Sequence, residues 1–159
     1  MQQMAPLARF LPYQLSIASN AVSGRIAQEY RSRWGLSVPE WRVMALLGDF
    51  GTITQRDLTR LSLMDKVAVN RACKVLEDRG LVARTPNEQD GRSHLLDLTQ
   101  SGRDMHAQIM PLAREMERRI CAGFSEAELD TFRAMLDRLH RQSEIVDADD
   151  IVSDNFGIE

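Results

Sequence analysis

Long apolar runs are missing from this sequence. The longest uninterrupted one is Val43–Leu47, far short of the roughly 18 residues that cross a bilayer as a helix, so no transmembrane helix is expected. The opening residues, MQQMAPLARF, do not set a basic segment before an apolar one and so do not read as a signal peptide. Cysteine is scarce: Cys73 and Cys121 lie far apart and form no CxxC, which excludes a disulfide framework and fits a cytoplasmic, reducing location. The histidines, His94, His106 and His140, are scattered. Without a His-x-x-x-His or a Cys cluster, no metal site is expected. Neither a G-x-S-x-G nor a phosphate-cradling Gly-rich loop occurs, and no carboxylate pair sits in an apolar context. Neither catalysis nor a cofactor is therefore expected.

What is present suits one globular domain: 159 residues, 43% hydrophobic and 27% charged, enough chain to bury a core without staples. The net charge of -3 argues at first sight against a nucleic-acid partner. Its distribution is uneven. Six of the 23 acids lie from Glu144 onward, where Lys and Arg are absent, so residues 1–143 carry 17 acids against 20 bases, a net of +3. A solvated acidic tail, 147–159, on a near-neutral domain gives the same numbers. The local placement of the bases must decide.

Helical periodicity runs from about Leu7 to Trp34 through Leu15, Ala18, Val22, Ile26 and Tyr30, and Gly35 ends it. Ser37 and Glu40 form a capping box with Pro39 in the first turn, opening a helix that carries Trp41, Met44, Ala45 and Leu47. Thr54 is the next cap. After a break at Ser62–Met64, Asp65 caps a helix over Lys66 to Arg79, closed by Gly80. The period then changes: Leu81–Arg84 and His94–Leu98 are strand-like, and the polar, turn-rich Pro86–Gly91 between them makes a hairpin. A long helix from Thr99 to about Gly123 follows, with a seam of Met105, Ile109, Leu112, Met116 and Ile120 and a kink expected at Pro111. Ser125 and Glu128 make a second capping box. The last helix, to about Val146, spaces Leu129, Phe132, Leu136 and Leu139 as a coiled coil does.

Within Thr54 to Arg79 the order is helix, short turn, helix. On the second helix Val69, Ala72, Cys73 and Leu76 fall on one inward face, and Val67, Arg71, Lys74 and Asp78 on the opposite one, with Asn70 at its edge. Such a helix suits the major groove, where Arg and Lys donate to guanine or phosphate and Asn can pair with adenine. Readers of this kind use their N-terminal turns, which favours Lys66, Val67, Ala68, Asn70 and Arg71 for bases or nearby phosphates. Lys74 falls to a phosphate. A plain amphipathic helix with a solvated basic face would show the same pattern. The hairpin adds Arg84, Arg92 and His94, bases on a slender projection that fits the minor groove. Asp90 and Arg92 are also expected to form an ion pair that holds the turn.

The segment DGRSHLLDLTQSG, Asp90 to Gly102, matches the D-x-R-x-x-x-x-x-L-T-x-x-G signature of the MarR family of transcription regulators, and LEDRGLVAR, Leu76 to Arg84, is similar to the family's junction between recognition helix and wing. The resemblance implies a mainly α winged helix-turn-helix fold with a small β-hairpin wing, dimerising through its N- and C-terminal helices. About 37–99 would form the DNA-binding lobe and about 7–34 and 100–146 the dimerisation helices. The partner it implies is double-stranded DNA carrying a pseudo-palindromic operator, bound by a homodimer that acts as a regulator, more often a repressor. Asp90 and Arg92 become the wing-tip pair, the helix from Asp65 to Arg79 the recognition helix, and Thr54, Gln55 and Arg56 at the start of the preceding helix further DNA-side residues. The chain departs from common members in Asp65, Val67 and Ala68, where hydroxyl residues are frequent. Contact with thymine methyls would suit Val67 and Ala68 better.

The family's peroxide sensors carry a cysteine in the first helix, and this chain has none there, so redox sensing is not expected. The family's effector clefts lie between the dimerisation helices and the DNA-binding lobe. Tyr13, Trp34, Trp41, Arg42, Met44 and His106 fall on those elements, with Arg42 as the partner of an anionic, aromatic effector. Aromatics that are simply core, and an Arg42 engaged in a structural ion pair, would explain the same residues. Two other functions fit the fold: an architectural DNA-binding protein without effector response, and a winged-helix module for protein contacts.

Overall fold

A computed structural model describes residues 6–146; the expected acidic tail, 147–159, lies outside them. A 3-10 turn, Pro6–Arg9, precedes α1, Leu11–Trp34. Gly35 ends α1 in the left-handed region at φ 64°, where its N–H reaches the Arg31 carbonyl, a conformation glycine adopts without steric cost. The capping box expected at Ser37 is formed: the Ser37 N–H donates to Glu40 Oε2 at 3.0 Å and the Glu40 N–H to Ser37 Oγ at 3.4 Å, opening α2, Val38–Phe50.

Two helices then make the expected turned pair, α3, Gln55–Ser62, and α4, Lys66–Asp78. Thr54 caps α3, and Asp65 caps α4 by accepting the Ala68 N–H at 2.8 Å. Leu63 turns the chain between them at φ 51°. The inward face of α4 is as expected: Val69, Ala72, Cys73 and Leu76 are all buried. They meet Leu36, Val43, Met44, Leu47, Leu58, Leu96 and Ile109 in one core.

The hairpin is β2, Val82–Pro86, and β3, His94–Leu98, paired antiparallel from Val82 opposite Leu98 to Pro86 opposite His94. One strand was not expected. β1, Ile53–Thr54, pairs antiparallel with β3, giving the order β1-β3-β2. Two residues carry no period, and their partner lies some forty residues on, so nothing local announces the strand.

α5, Gln100–Ile120, follows the wing, and α6, Glu126–Ile145, ends the described chain. α5 runs through Pro111 as one helix, although the proline ring removes one backbone hydrogen bond. The Ser125–Glu128 capping box opens α6 as expected. The chain divides into two compact units, one through Glu117 and one from Arg118. The division falls inside α5, whose first half packs into the core: Gly102 and Ile109 are buried and Met105 and Ala113 lie against the cluster. Among the described residues no helix is long and apolar enough to cross a membrane.

Large apolar side chains stand exposed at the N-terminal end of α1, at Leu11, Tyr13 and Ile17, and along α6, at Phe132, Met135, Leu136 and Leu139. Helix α6 buries no residue.

Candidate nucleic-acid interface

The exposed face of α4 carries Lys66, Val67, Asn70, Arg71, Lys74 and Asp78, all open to solvent, while Ala68 is half-buried. Val67 is 66% exposed, an apolar contact surface set among the polar and charged side chains of this face. Lys74 Nζ lies 3.6 Å from Asp78 across one turn, a fully solvated pair that contributes little.

Beside this face α3, the start of α4 and the wing enclose a groove of about 540 Å³, lined by Gln55, Arg56, Thr59, Arg60, Lys66, Arg84, Arg92, Ser93 and His94. The α3–α4 turned pair and the more distant wing thus bring five cationic side chains around one concavity. Six of its residues were expected at the interface from sequence. Arg60 was missed. It follows Arg56 at i+4 on α3, and that spacing places both on one helix face. Its guanidinium reaches Asp57 at 3.3 Å. The Asp57 carboxyl lies below its usual range, first because it accepts from the Thr54 hydroxyl and then because of Arg60.

Thr54 is engaged inside the chain: its hydroxyl donates to Asp57 Oδ2 at 2.8 Å and accepts the Asp57 N–H at 3.1 Å. Arg84 is half-buried and gripped on both sides. Its Nε and one terminal nitrogen donate to the two Glu77 carboxylate oxygens at 2.8 and 3.1 Å, and its other terminal nitrogen donates to Gln55 Oε1 at 2.9 Å. The Glu77 carboxylate pushes the Arg84 pKa further up. Asp90 and Arg92 do not form the expected ion pair. Asp90 Oδ1 accepts the backbone N–H of Arg92 at 3.2 Å instead, the local turn that a short carboxylate makes two residues on. The Arg92 guanidinium is therefore exposed without a side-chain partner among the described residues. Asn87 braces the tip, donating from Nδ2 to Ser93 Oγ at 2.9 Å.

The base of the wing explains the L-T-x-x-G part of the motif. Thr99 Oγ1 donates to the Gly80 carbonyl at 2.6 Å and accepts the Gly102 N–H at 3.1 Å, and the Thr99 N–H donates to the Leu81 carbonyl at 3.0 Å. One threonine thus joins the end of β3, the turn after α4 and the start of α5.

The six residues expected around an effector do not converge. Met44 is fully buried core. Arg42 is exposed, so its charge is solvated and requires no anionic partner, contrary to expectation. Tyr13 and Trp34 lie near opposite ends of α1, about 30 Å apart at 1.5 Å per residue, too far to line one small cleft in a single chain. Trp41 and His106 do meet, stacked with ring centroids 5.7 Å apart, and Tyr30 also packs against Trp41 with centroids 4.9 Å apart. His106 Nε2 is buried without a hydrogen-bond partner among the described residues.

Comparison with known proteins agrees with this geometry. A MarR family model matches residues 34–93. An HTH-type transcriptional repressor of Mycobacterium bovis is 29% identical over 66% of this chain and 76% of its own. The crystal structure of a MarR family transcriptional regulator from Silicibacter pomeroyi is 31% identical, with a TM-score of 0.72 over 86% of this chain and 99% of that one. A MarR variant from E. coli complexed with operator DNA shares the fold, with a TM-score of 0.74 at 22% identity over 86% of this chain and 99% of that one. Signature, fold and relatives agree: the chain belongs to the MarR family of transcription regulators.

Proposed function

We propose that the protein binds double-stranded DNA as a homodimer and represses transcription by occupying a pseudo-palindromic operator. The observation that carries this is the joining of two features in one place. A helix that shows Lys66, Val67, Asn70, Arg71 and Lys74 to solvent borders a groove lined by Arg56, Arg60, Lys66, Arg84 and Arg92. The first feature suits base edges and the second phosphates. Residues of about 37–99 would do the reading. The bare apolar faces of α1 and α6 support dimerisation by about 7–34 and 100–146, since monomers rarely leave such surface open. The mycobacterial relative's name supports repression, and the E. coli complex supports operator DNA as partner. Such a regulator works in the cytoplasm.

Selection of bound DNA from a random pool tests this. An inverted repeat with half-sites about one helical turn apart, and an affinity that falls linearly in log salt, is expected. Binding without sequence preference would make the protein architectural, and no salt-dependent affinity would make it a protein-contact module.

A small aromatic effector remains part of the proposal, supported by the Trp41–His106 stack and the unpartnered His106 Nε2. A ligand group that reached that nitrogen and bonded it would satisfy it. A thermal-shift screen of aromatic carboxylates, followed by DNA competition with each hit, tests for it. Ligand and DNA must oppose each other reciprocally.

A further inference from the structure

The contacts of Arg84 form one end of a four-residue chain. Glu77 takes two of its N–H groups and Gln55 Oε1 takes a third at 2.9 Å; Gln55 Nε2 in turn donates to Asn70 Oδ1 at 3.3 Å. The chain joins β2, α3 and α4, and it ends on a side chain of the exposed reading face.

The direction of every hydrogen bond in it is fixed by chemistry. A guanidinium has donors only. The Gln55 group that meets it must therefore be the oxygen, which leaves the Gln55 amide nitrogen toward Asn70. A primary amide nitrogen is a donor only, so Asn70 must meet it with Oδ1. Asn70 Nδ2 is then turned away from Gln55, and it has no partner among the described residues. Glu77, acceptor-only when ionised, anchors the far end and holds Arg84 in a two-pronged grip.

We propose that Glu77, Arg84 and Gln55 are positioning residues that set the hydrogen-bond polarity of Asn70, so that Asn70 reads DNA as a donor and selects guanine. This rests on the DNA-reading function proposed above. The bidentate asparagine–adenine pair needs Oδ1 as acceptor for the adenine N6 amine. Here that oxygen is turned toward Gln55 and accepts from its Nε2, which leaves the amine as the outward group. Guanine offers two acceptors, N7 and O6, and no donor on the same edge, which matches an outward NH₂. Arg84 therefore acts through Gln55 and touches no base itself.

The test is selection from a random pool, followed by affinity measurements on the selected site and its single-base variants. The proteins compared are the parent, Gln55→Glu and Gln55→Met. A carboxylate at position 55 can only accept. It keeps the bond to Arg84, turns Asn70 round to receive its Nδ2, and points Oδ1 at the DNA. At one position in each half-site, the parent's preference for guanine should then give way to adenine or cytosine, whose exocyclic amines donate. The guanine-to-adenine affinity ratio should swing by about tenfold or more, the scale of one good base contact. All other positions keep their preference. Gln55→Met, which breaks the chain without adding charge, should lose discrimination at that same position. Both variants must melt with the parent. If Gln55→Glu lowers affinity by one factor for every sequence, and Gln55→Met leaves preference intact, the chain is a structural brace and the proposal is overturned. If the parent itself selects no sequence, the DNA-reading function fails and this inference fails with it, an outcome visible before any substitution is made.

Discussion

Gly102 presses against the backbone carbonyl of Leu81 so closely that no side chain fits between them: a Cβ there would run into the carbonyl oxygen and stand 3.0 Å from its carbon and 3.2 Å from Leu98 Cδ2. The carbonyl cannot retreat, because the Thr99 N–H holds it at 3.0 Å. Gly102→Ala should therefore destabilise the fold by about 1–3 kcal/mol, read as a lowered melting temperature. Gly24→Ala is the control. Nothing stands within 4 Å of a Cβ at Gly24 in mid-α1, so that change should stabilise by roughly 0.5–1 kcal/mol. A Gly102→Ala protein that melts with the parent would mean that α5 can shift from the base of the wing.

Arg92 separates DNA binding from stability. Its guanidinium pairs with no side chain of the described residues, and only its backbone N–H is used, at 3.2 Å from Asp90 Oδ1. Arg92→Ala should leave thermal unfolding unchanged, weaken DNA binding, and flatten the plot of log affinity against log salt by about one unit. Asp90→Ala should loosen the tip and weaken binding with the slope unchanged.

On the reading face Arg71 and Lys74 should differ in kind. Arg71→Ala is expected to cost about 1–3 kcal/mol of operator affinity and to relax selection at one base in each half-site. Lys74→Ala should weaken all sequences alike. Unchanged operator affinity in Arg71→Ala would move the reading face elsewhere on α4.

The bare faces of α1 and α6 predict the assembly. Sedimentation at micromolar concentration should give about twice the 18.0 kDa chain mass. Replacing Phe132 and Leu136, which are 53% and 39% exposed, by polar residues should shift the protein toward monomer while the unit through Glu117 stays folded. A parent that sediments as a monomer excludes the two-headed operator complex.

Cys73 should be inert while the protein is folded. It is fully buried against the core, and burial pushes its thiol up to about 11 from 9.0. Iodoacetamide at pH 8 should leave it unmodified until denaturant is added. A group whose folded pKa is raised lends stability that is complete below its unfolded value. Stability from this thiol should therefore hold below about pH 9 and decline as pH rises toward 11, a trend that Cys73→Ala removes.

The sequence by itself determined most of the helices and their inner faces. A cap such as Ser37, Thr54, Asp65 or Ser125 acts on a backbone N–H three residues away, and the buried face of α4 follows from the 3.6-residue repeat; both signals are complete within one or two turns of chain. The hairpin was legible for the same reason. The tertiary structure decided whatever depends on partners distant in sequence. β1 exists only because β3 lies beside it. Arg84 looked like another basic residue of the wing until Glu77 and Gln55 closed on it. Arg42 looked like a buried cation on an apolar helix, yet its position on α2 turns it to solvent. The ion pair expected of Asp90 gave way to a backbone turn, since a carboxylate within reach of a neighbouring N–H can satisfy itself without ordering a long arginine side chain. Sequence spacing fixes which face of an element a residue occupies. What then meets that face depends on how the elements pack, and packing is set by contacts that no local pattern contains.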